Sequence, residues 1–406
     1  MTSETPVKST SVPGSPSASA GTSPGPSEAE VVAPPTTTPT VDTSGPSGDE
    51  VVPPPTTNTS GPSEAEDVPP QTTNINVAEA TLLEADEVEE QENVLSDGDS
   101  GVGSFQSSTA SLQEELIKQR KEHGRSYKGY LEAKYLLPMD EQELERLELQ
   151  NHLVWLTLDK RLYHSPVENF NRVLDVGCGT GQWTIEFADQ YPGTEVIGVD
   201  LAPVQPNAIP PNLVFEVDDL EQPWTFSKKF DFIHTEAMVG ALQDWPKYFR
   251  QSFEFLEPGG YLELHDVDFA VRCDDGTLPD DSAVVKWHEY MDQAADKMGF
   301  PLHIVLEFPK LMQEAGYTDI SVEQIKWPMN TWPKDKKYKE LGYFASENFR
   351  WGCESMSLAL LTRGLGWSVD EVRVFMALLR KDFANRQLHG YWNFYVIHGR
   401  KPENVA

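Results

Sequence analysis

The chain has 406 residues and a formal net charge of -33, from 32 Lys and Arg against 65 Asp and Glu. A surface this acidic offers no sustained basic face to displace counterions from a phosphate backbone, which argues against nucleic acid as a direct partner. Three widely separated cysteines, Cys178, Cys273 and Cys353, show neither a disulfide framework nor paired metal-ligand spacing. No apolar run is long enough to span a bilayer and the N-terminus lacks the apolar core of a signal peptide, so the expectation is an intracellular protein, in the cytoplasm or the nucleus, without a membrane or metal partner.

Residues 1–110 are rich in Pro, Ser, Thr, Gly and Glu, a composition that buries too little apolar surface to offset chain entropy, and are expected to be a disordered acidic tail. Within it GPSEAEVVAPPTTT, GPSGDEVVPPPTTN and GPSEAEDVPPQTTN begin at Gly25, Gly45 and Gly61, a degenerate repeat with no apolar face to stack. Residues 111–170 are predicted to be a helical segment. SLQEELIKQRKE has helical spacing from Ser111, and the basic run Lys118 to Arg125 reads as a solvated helix face or, less commonly, a nuclear address. Tyr127, Tyr130 and Tyr135 then either fold over a ligand or pack on the surface. In MDEQELERLELQNHLVWLTLDKRLY, Asp140 is placed to cap a helix with Glu143 three residues on, and Leu144, Leu147, Val154 and Leu158 form its apolar stripe.

From residue 171 to 406 short apolar runs alternate with helical stretches, the pattern of crossover units on a mainly parallel sheet. RVLDVG, EVIGVDL, LVFEVDD, FDFIHTE and GYLELHD are predicted strands closing on polar or acidic residues, followed by ISVEQIKW and, last, YWNFYVIHGRK. Between these two, at about 330–388, lies a helical insertion in which Ser368 and Glu371 form a capping box. Its aromatic approach, with Trp327, Trp332, Tyr343, Phe344, Phe349 and Trp351, is either a lid over a substrate or an enlarged core.

VLDVGCGTGQW, from Val173 to Trp183, carries the chemistry. Gly177, Gly179 and Gly181 alternate, but Gln182 stands where a dinucleotide fingerprint needs its last glycine, and no Lys-Ser or Lys-Thr pair follows for a phosphate loop. The bend therefore suits a ligand that lacks phosphate and, with Asp175 before it, one that can carry positive charge. Asp200 closes the second strand, where a carboxylate accepts from both hydroxyls of a ribose. Asp218 and Asp219, ending the third, can accept from the exocyclic amine of a base, and Leu201 offers an apolar wall to its ring. Ribose, base amine and cation together describe S-adenosylmethionine.

VLDVGCGTG, GVDLAP, FEVDDLE, FDFIHTE and LEPGGYLEL together resemble the motifs of class I, Rossmann-like methyltransferases. A tighter resemblance, to fungal LaeA-like methyltransferases, runs from Arg125 to Pro402 through KYLLPMDEQELERLELQ, LVWLTLDKRLY, VQPNAIPPNLVFEVDDLEQPW, DWPKYFRQSFEFLEPGGYLEL, LGWSVDEV and YVIHGRKP. It implies an α/β fold with a seven-stranded sheet whose last strand is antiparallel, S-adenosylmethionine as cofactor, and a place in fungal secondary metabolism. The acceptor is then a small molecule, or the chain is a regulator with protein partners. Cys178 stands where other members often carry Thr, and no redox role is attached to it. In-line methyl transfer needs no obligatory base. For a hydroxyl acceptor His234, Glu236 and His265 stand at strand ends where each could take the proton, or equally orient the cofactor. HDVD, His265 to Asp268, reads as a strand end and solvated loop in preference to a metal site.

Overall fold

The computed structural model describes residues 75–78, 81–86, 119–128 and 136–403. The repeats and nearly all of the expected tail, with Tyr130 and Tyr135, lie outside them. All seven predicted strands form. They are β4 (Arg172–Val176), β5 (Glu195–Asp200), β6 (Leu213–Val217), β7 (Phe230–Glu236), β8 (Leu256–Arg272), β9 (Thr318–Pro328) and β10 (Tyr391–Arg400). Three shorter strands precede them, β1 (Ile75–Val77), β2 (Gln119–Glu122) and β3 (Arg125–Lys128).

The large sheet runs β1-β9-β10-β8-β7-β4-β5-β6. Neighbours pair in parallel except at β10, which is antiparallel to both β8 and β9. β4 sits between β5 and β7, so the connections leave it in opposite directions and a crevice opens at its carboxyl end. The eighth strand corrects the expectation of a wholly disordered tail. Ile75, Asn76 and Val77 pair with Ile320, Ser321 and Val322 on the edge of β9. Main-chain pairing along an exposed edge is indifferent to side-chain apolarity, which is why composition gave no sign of it.

Two other expectations change. The helical spacing read from Ser111 does not extend through Gln119–Glu122, which pair with β3 as a hairpin. His123 and Gly124 both take positive φ, the geometry of a tight two-residue turn. Arg125 then closes a two-pronged ion pair on Asp140, at 2.6 and 2.7 Å. β8 also continues past its predicted end at Asp266 to Arg272, because β10 keeps pairing with it up to Tyr391↔Arg272. HDVD is thus a buried mid-strand segment and not a solvated loop.

The leading helix α1 (Glu141–Thr157) is capped by Asp140, whose carboxylate accepts from the Glu143 amide. Its stripe differs from the expected one. Val154 and Leu158 are buried, but Leu144 and Leu147 are half-buried while Glu143 and Arg146 are fully buried as an ion pair. After β4 the helices are α2 (Gln182–Gln190), α3 (Trp245–Phe255), α4 (Ala283–Met298) and α5 (Phe308–Ala315). The insertion supplies α6 (Lys336–Ala359), a π-helical turn (Leu360–Gly364) and α7 (Val369–Ala384), which starts on the predicted capping box. It joins the sheet through Phe349, whose ring lies 3.9 Å from Trp392 of β10, while within the sheet Trp327 of β9 lies 4.5 Å from Phe394 of β10, all four buried. Each such burial contributes on the order of 1.5–3 kcal/mol.

Candidate functional site

The sheet's register gathers the titratable residues. Asp175 on β4 stands beside His234 on β7, which stands beside Glu263 on β8. One pleat further along, Glu236 stands beside His265. Side chains two residues apart share a sheet face, so all five project to the same side, beside the β4 crevice.

They are hydrogen-bonded in series. The carboxylate of Asp175 accepts from Thr184 Oγ1 at 2.5 Å and pairs with His234 Nδ1 at 2.8 Å. His234 Nε2 meets His265 Nδ1 at 3.3 Å, and His265 Nε2 meets Glu263 at 2.7 Å. Glu263 also accepts from the amides of His164 and Ser165, at 2.7 and 2.6 Å. Trp183 lies flat on the His234 ring, 3.7 Å away at 4°. Burial alone pulls the His265 pKa down, but hydrogen bonds to Glu236 and Glu263 carry it up to about 9. Burial conversely raises Glu263, and the His265 bond and charge bring it down to about 2.

Each predicted residue can now be placed. His234 and His265 are together, fully buried, with both nitrogens of each ring engaged; Glu236 beside them keeps some exposure. Asp175 lines the cavity, but both of its oxygens already have protein partners, so it does not present an unshared carboxylate to a cation. The three glycines differ in what they approach. A Cβ on Gly177 would fall 2.2 Å from Met238 Sδ and one on Gly181 2.4 Å from the Phe215 ring, and both residues have positive φ, so a side chain at either would strain the bend. Gly179 faces open space, and Gly177 and Gly179 both line the cavity while Gly181 does not.

Asp200 accepts from the Gly179 amide and from its own Ala202 amide, each at 2.9 Å. Burial lifts its pKa to about 6 despite those bonds. The Leu201 amide also bonds this carboxylate, and its remaining acceptor capacity is open to further donors. Leu201, Asp218 and Asp219 line the same cavity. Asp218 is exposed, while Asp219 is half-buried and accepts from the Glu221 amide at 3.1 Å. Burial pushes the Cys178 thiol well above its ordinary range, consistent with no redox role.

Sequence reasoning missed Glu263, Asp266 and Gln205. Glu263 lies two residues before His265, so strand alternation was the available signal. Asp266 points the other way, accepts from the Met238 and Val239 amides at 2.8 Å, and is raised by burial to about 7. Gln205 donates to the Gly179 carbonyl at 2.6 Å and steadies the glycine bend; nothing in its local spacing signals this.

Opposite the carboxylates the cavity wall is apolar, with Leu147, Trp327, Phe349, Met356, Leu360 and Phe394. The aromatic approach therefore divides. Trp327 and Phe349 are both core and cavity wall, Trp332 is core and stacks on His389, and Tyr343 and Trp351 are exposed. Arg146 reaches this wall with its charge committed to Glu143 and its Nη1 to Asn348, at 2.7 Å.

Among the described residues no helix is long and apolar enough to cross a membrane. The family described as a methyltransferase domain matches residues 143–322. Methyltransferase pytC of Aspergillus terreus is 36% identical over 298 residues, 73% of this chain and 92% of the relative. Secondary metabolism regulator LAE1 of Cochliobolus heterostrophus is 36% identical over 290 residues, 70% and 94% of the two chains. Secondary metabolism regulator laeA of Aspergillus flavus is 34% identical over 287 residues, 70% and 78%. With a doubly wound sheet, a glycine bend and an acid closing the neighbouring strand at its switch point, and relatives of this closeness, the chain belongs to the class I S-adenosylmethionine-dependent methyltransferases, among the fungal LaeA-like proteins.

Proposed function

We propose that the chain methylates an apolar small molecule of the kind made in fungal secondary metabolism. The observation that carries this reading is one cavity with two unlike ends, Gly179 and Asp200 at one and the aromatic wall of Trp327, Phe349 and Phe394 at the other. The cofactor supplies an electrophilic methyl group on a cationic sulfur. The residues present suit it: the open face of Gly179 leaves space at the bend, Asp200 has acceptor capacity for two hydroxyls, and Leu201, Asp218 and Asp219 border the space beyond for a purine. The apolar wall holds an acceptor by burial, and fixing two reactants in line contributes up to roughly 7–11 kcal/mol in favourable cases. A cationic polypeptide side chain gains little from a wall of apolar side chains.

The test is labelled S-adenosylmethionine with purified protein, offered apolar phenols and polyketide-like aromatics in one arm and fungal polypeptide extract in the other. Label in extractable small molecules supports the reading, and label confined to polypeptide ends it. A second reading, a regulator acting through protein partners, draws on the names of two of the relatives. A regulator that needs no transfer keeps its effect on metabolite output when Asp200→Ala abolishes cofactor binding; an enzyme does not.

A further inference from the structure

We propose that His234, Glu236 and His265 form a binding site for one divalent transition-metal cation on the floor of the acceptor end of the cavity. Their donor atoms all lie within 4.8 Å of one another. His234 Nε2 and His265 Nδ1 are 3.3 Å apart, and His265 Nδ1 and Glu236 Oε2 are 3.5 Å apart. Two ligand atoms each about 2.0–2.1 Å from a tetrahedral ion stand about 3.3 Å apart, so these separations suit coordination with little movement.

The surroundings of the three residues are those of a metal centre. A metal-bound histidine donates its other ring N–H to a carboxylate or carbonyl, which sets the tautomer and aims the free nitrogen. Both rings have that partner on the far side: Asp175 on His234 Nδ1 and Glu263 on His265 Nε2, with Glu263 itself pinned by two backbone amides. The nitrogens left over converge on each other and on Glu236.

Charge argues the same way. Asp175, Glu236 and Glu263 place three carboxylates around two imidazoles, and among the described residues no Lys or Arg forms an ion pair with any of them. Buried carboxylates need cationic partners. A divalent ion supplies two positive charges among them, where protonated His265 alone supplies one.

Two imidazoles and one carboxylate select Zn²⁺, Mn²⁺ or Fe²⁺ over Ca²⁺ and Mg²⁺. All three residues line the cavity, so the open coordination position faces the acceptor, and a hydroxyl or enol oxygen is the group that fits it. This last point rests on the small-molecule reading above; cation binding does not.

The full chain, stripped with EDTA, is titrated with Co²⁺ while its visible absorption is recorded, and with Zn²⁺ by calorimetry. S-adenosylmethionine binding is measured on the same stripped protein. The expected result is one equivalent of Co²⁺ with d–d bands of a four- or five-coordinate ion, at least 100-fold weaker in Glu236→Gln, the partly exposed ligand. Glu263→Gln, acting through His265, is expected to cost 10- to 100-fold in metal affinity. Circular dichroism and cofactor binding confirm that each variant is folded. No stoichiometric Co²⁺ or Zn²⁺ binding by protein that still binds S-adenosylmethionine overturns the site and leaves the methyltransferase reading standing, as does metal affinity unchanged in a folded Glu236→Gln. If the stripped protein binds metal but turns over only polypeptide acceptors, the site stands and the small-molecule reading fails.

Discussion

The two ends of the cavity are built by different means. At the β4 and β5 end the working groups are backbone amides, a bend open at Gly179 and the carboxylate of Asp200, the last residue of β5. At the other end they are large side chains delivered by elements far apart in sequence, Leu147 from α1, Phe349 from α6 and Phe394 from β10. The first arrangement is local, because one loop and the neighbouring strand contain it. The second exists only after the insertion has packed on the sheet. If this division is real, substitutions at one end should change cofactor affinity and leave stability and acceptor preference alone, and the reverse should hold at the other.

The largest effect is expected from Asp200→Ala. Two hydroxyls bonded to a carboxylate are worth about 1.5–3 kcal/mol each, and the Gly179 amide loses its anchor as well, so calorimetry should show S-adenosylmethionine affinity reduced by more than about 100-fold. The melting temperature should move little. Affinity within threefold of the parent would mean that the glycine bend is not where the cofactor sits.

Phe349→Ala probes the other end. Removing a buried ring stacked on Trp392 costs about 3–5 kcal/mol of stability, read from denaturant unfolding. At a temperature where the variant is folded, cofactor affinity should stay within threefold while turnover of bulky acceptors falls. Loss of cofactor affinity equal to that of Asp200→Ala would erase the distinction between the ends.

A smaller effect comes from protons. Asp200 has a pKa of about 6 without ligand, and only its ionised form accepts from both hydroxyls, so bound cofactor favours the deprotonated state. Affinity should be constant above pH 7 and fall as pH drops through 6, approaching tenfold per unit below it. Asp200→Asn should flatten that profile. A parent profile level down to pH 5 would show that this carboxylate does not touch the cofactor.

The same local-versus-distant difference explains what could be read from residues alone. The strands, the glycine bend, the Asp140 cap and the Ser368 capping box were legible because each is set by neighbours within a few positions. That Gly177 and Gly181 also make room for Met238 and Phe215 was not legible, because nothing nearby in sequence announces those two side chains. His265 was placed at a strand end and not in mid-strand because the length of β8 depends on its pairing with β10, more than a hundred residues later. The buried Glu143–Arg146 pair took positions that helical periodicity assigned to solvent, since Asn348 from the insertion completes it. β1 was hidden for another reason: a strand held by backbone pairing to an edge leaves little trace in composition.

The smallest effect expected is at Ser368, which separates fold from site most cleanly. Its hydroxyl accepts from the Glu371 amide at 3.3 Å, and the Glu371 carboxylate accepts in return from the Ser368 amide at 2.8 Å. Ser368→Ala removes one arm and loosens the other, a loss of about 1 kcal/mol, or about 2 °C in melting temperature for a domain of this size. The pair is exposed and α7 contributes no residue to the cavity lining, so cofactor affinity and turnover should be unchanged. A drop in turnover without a drop in cofactor affinity would instead mean that the first turn of α7 is coupled through α6 to the acceptor wall, making the insertion a mechanical part of the site as well as its scaffold.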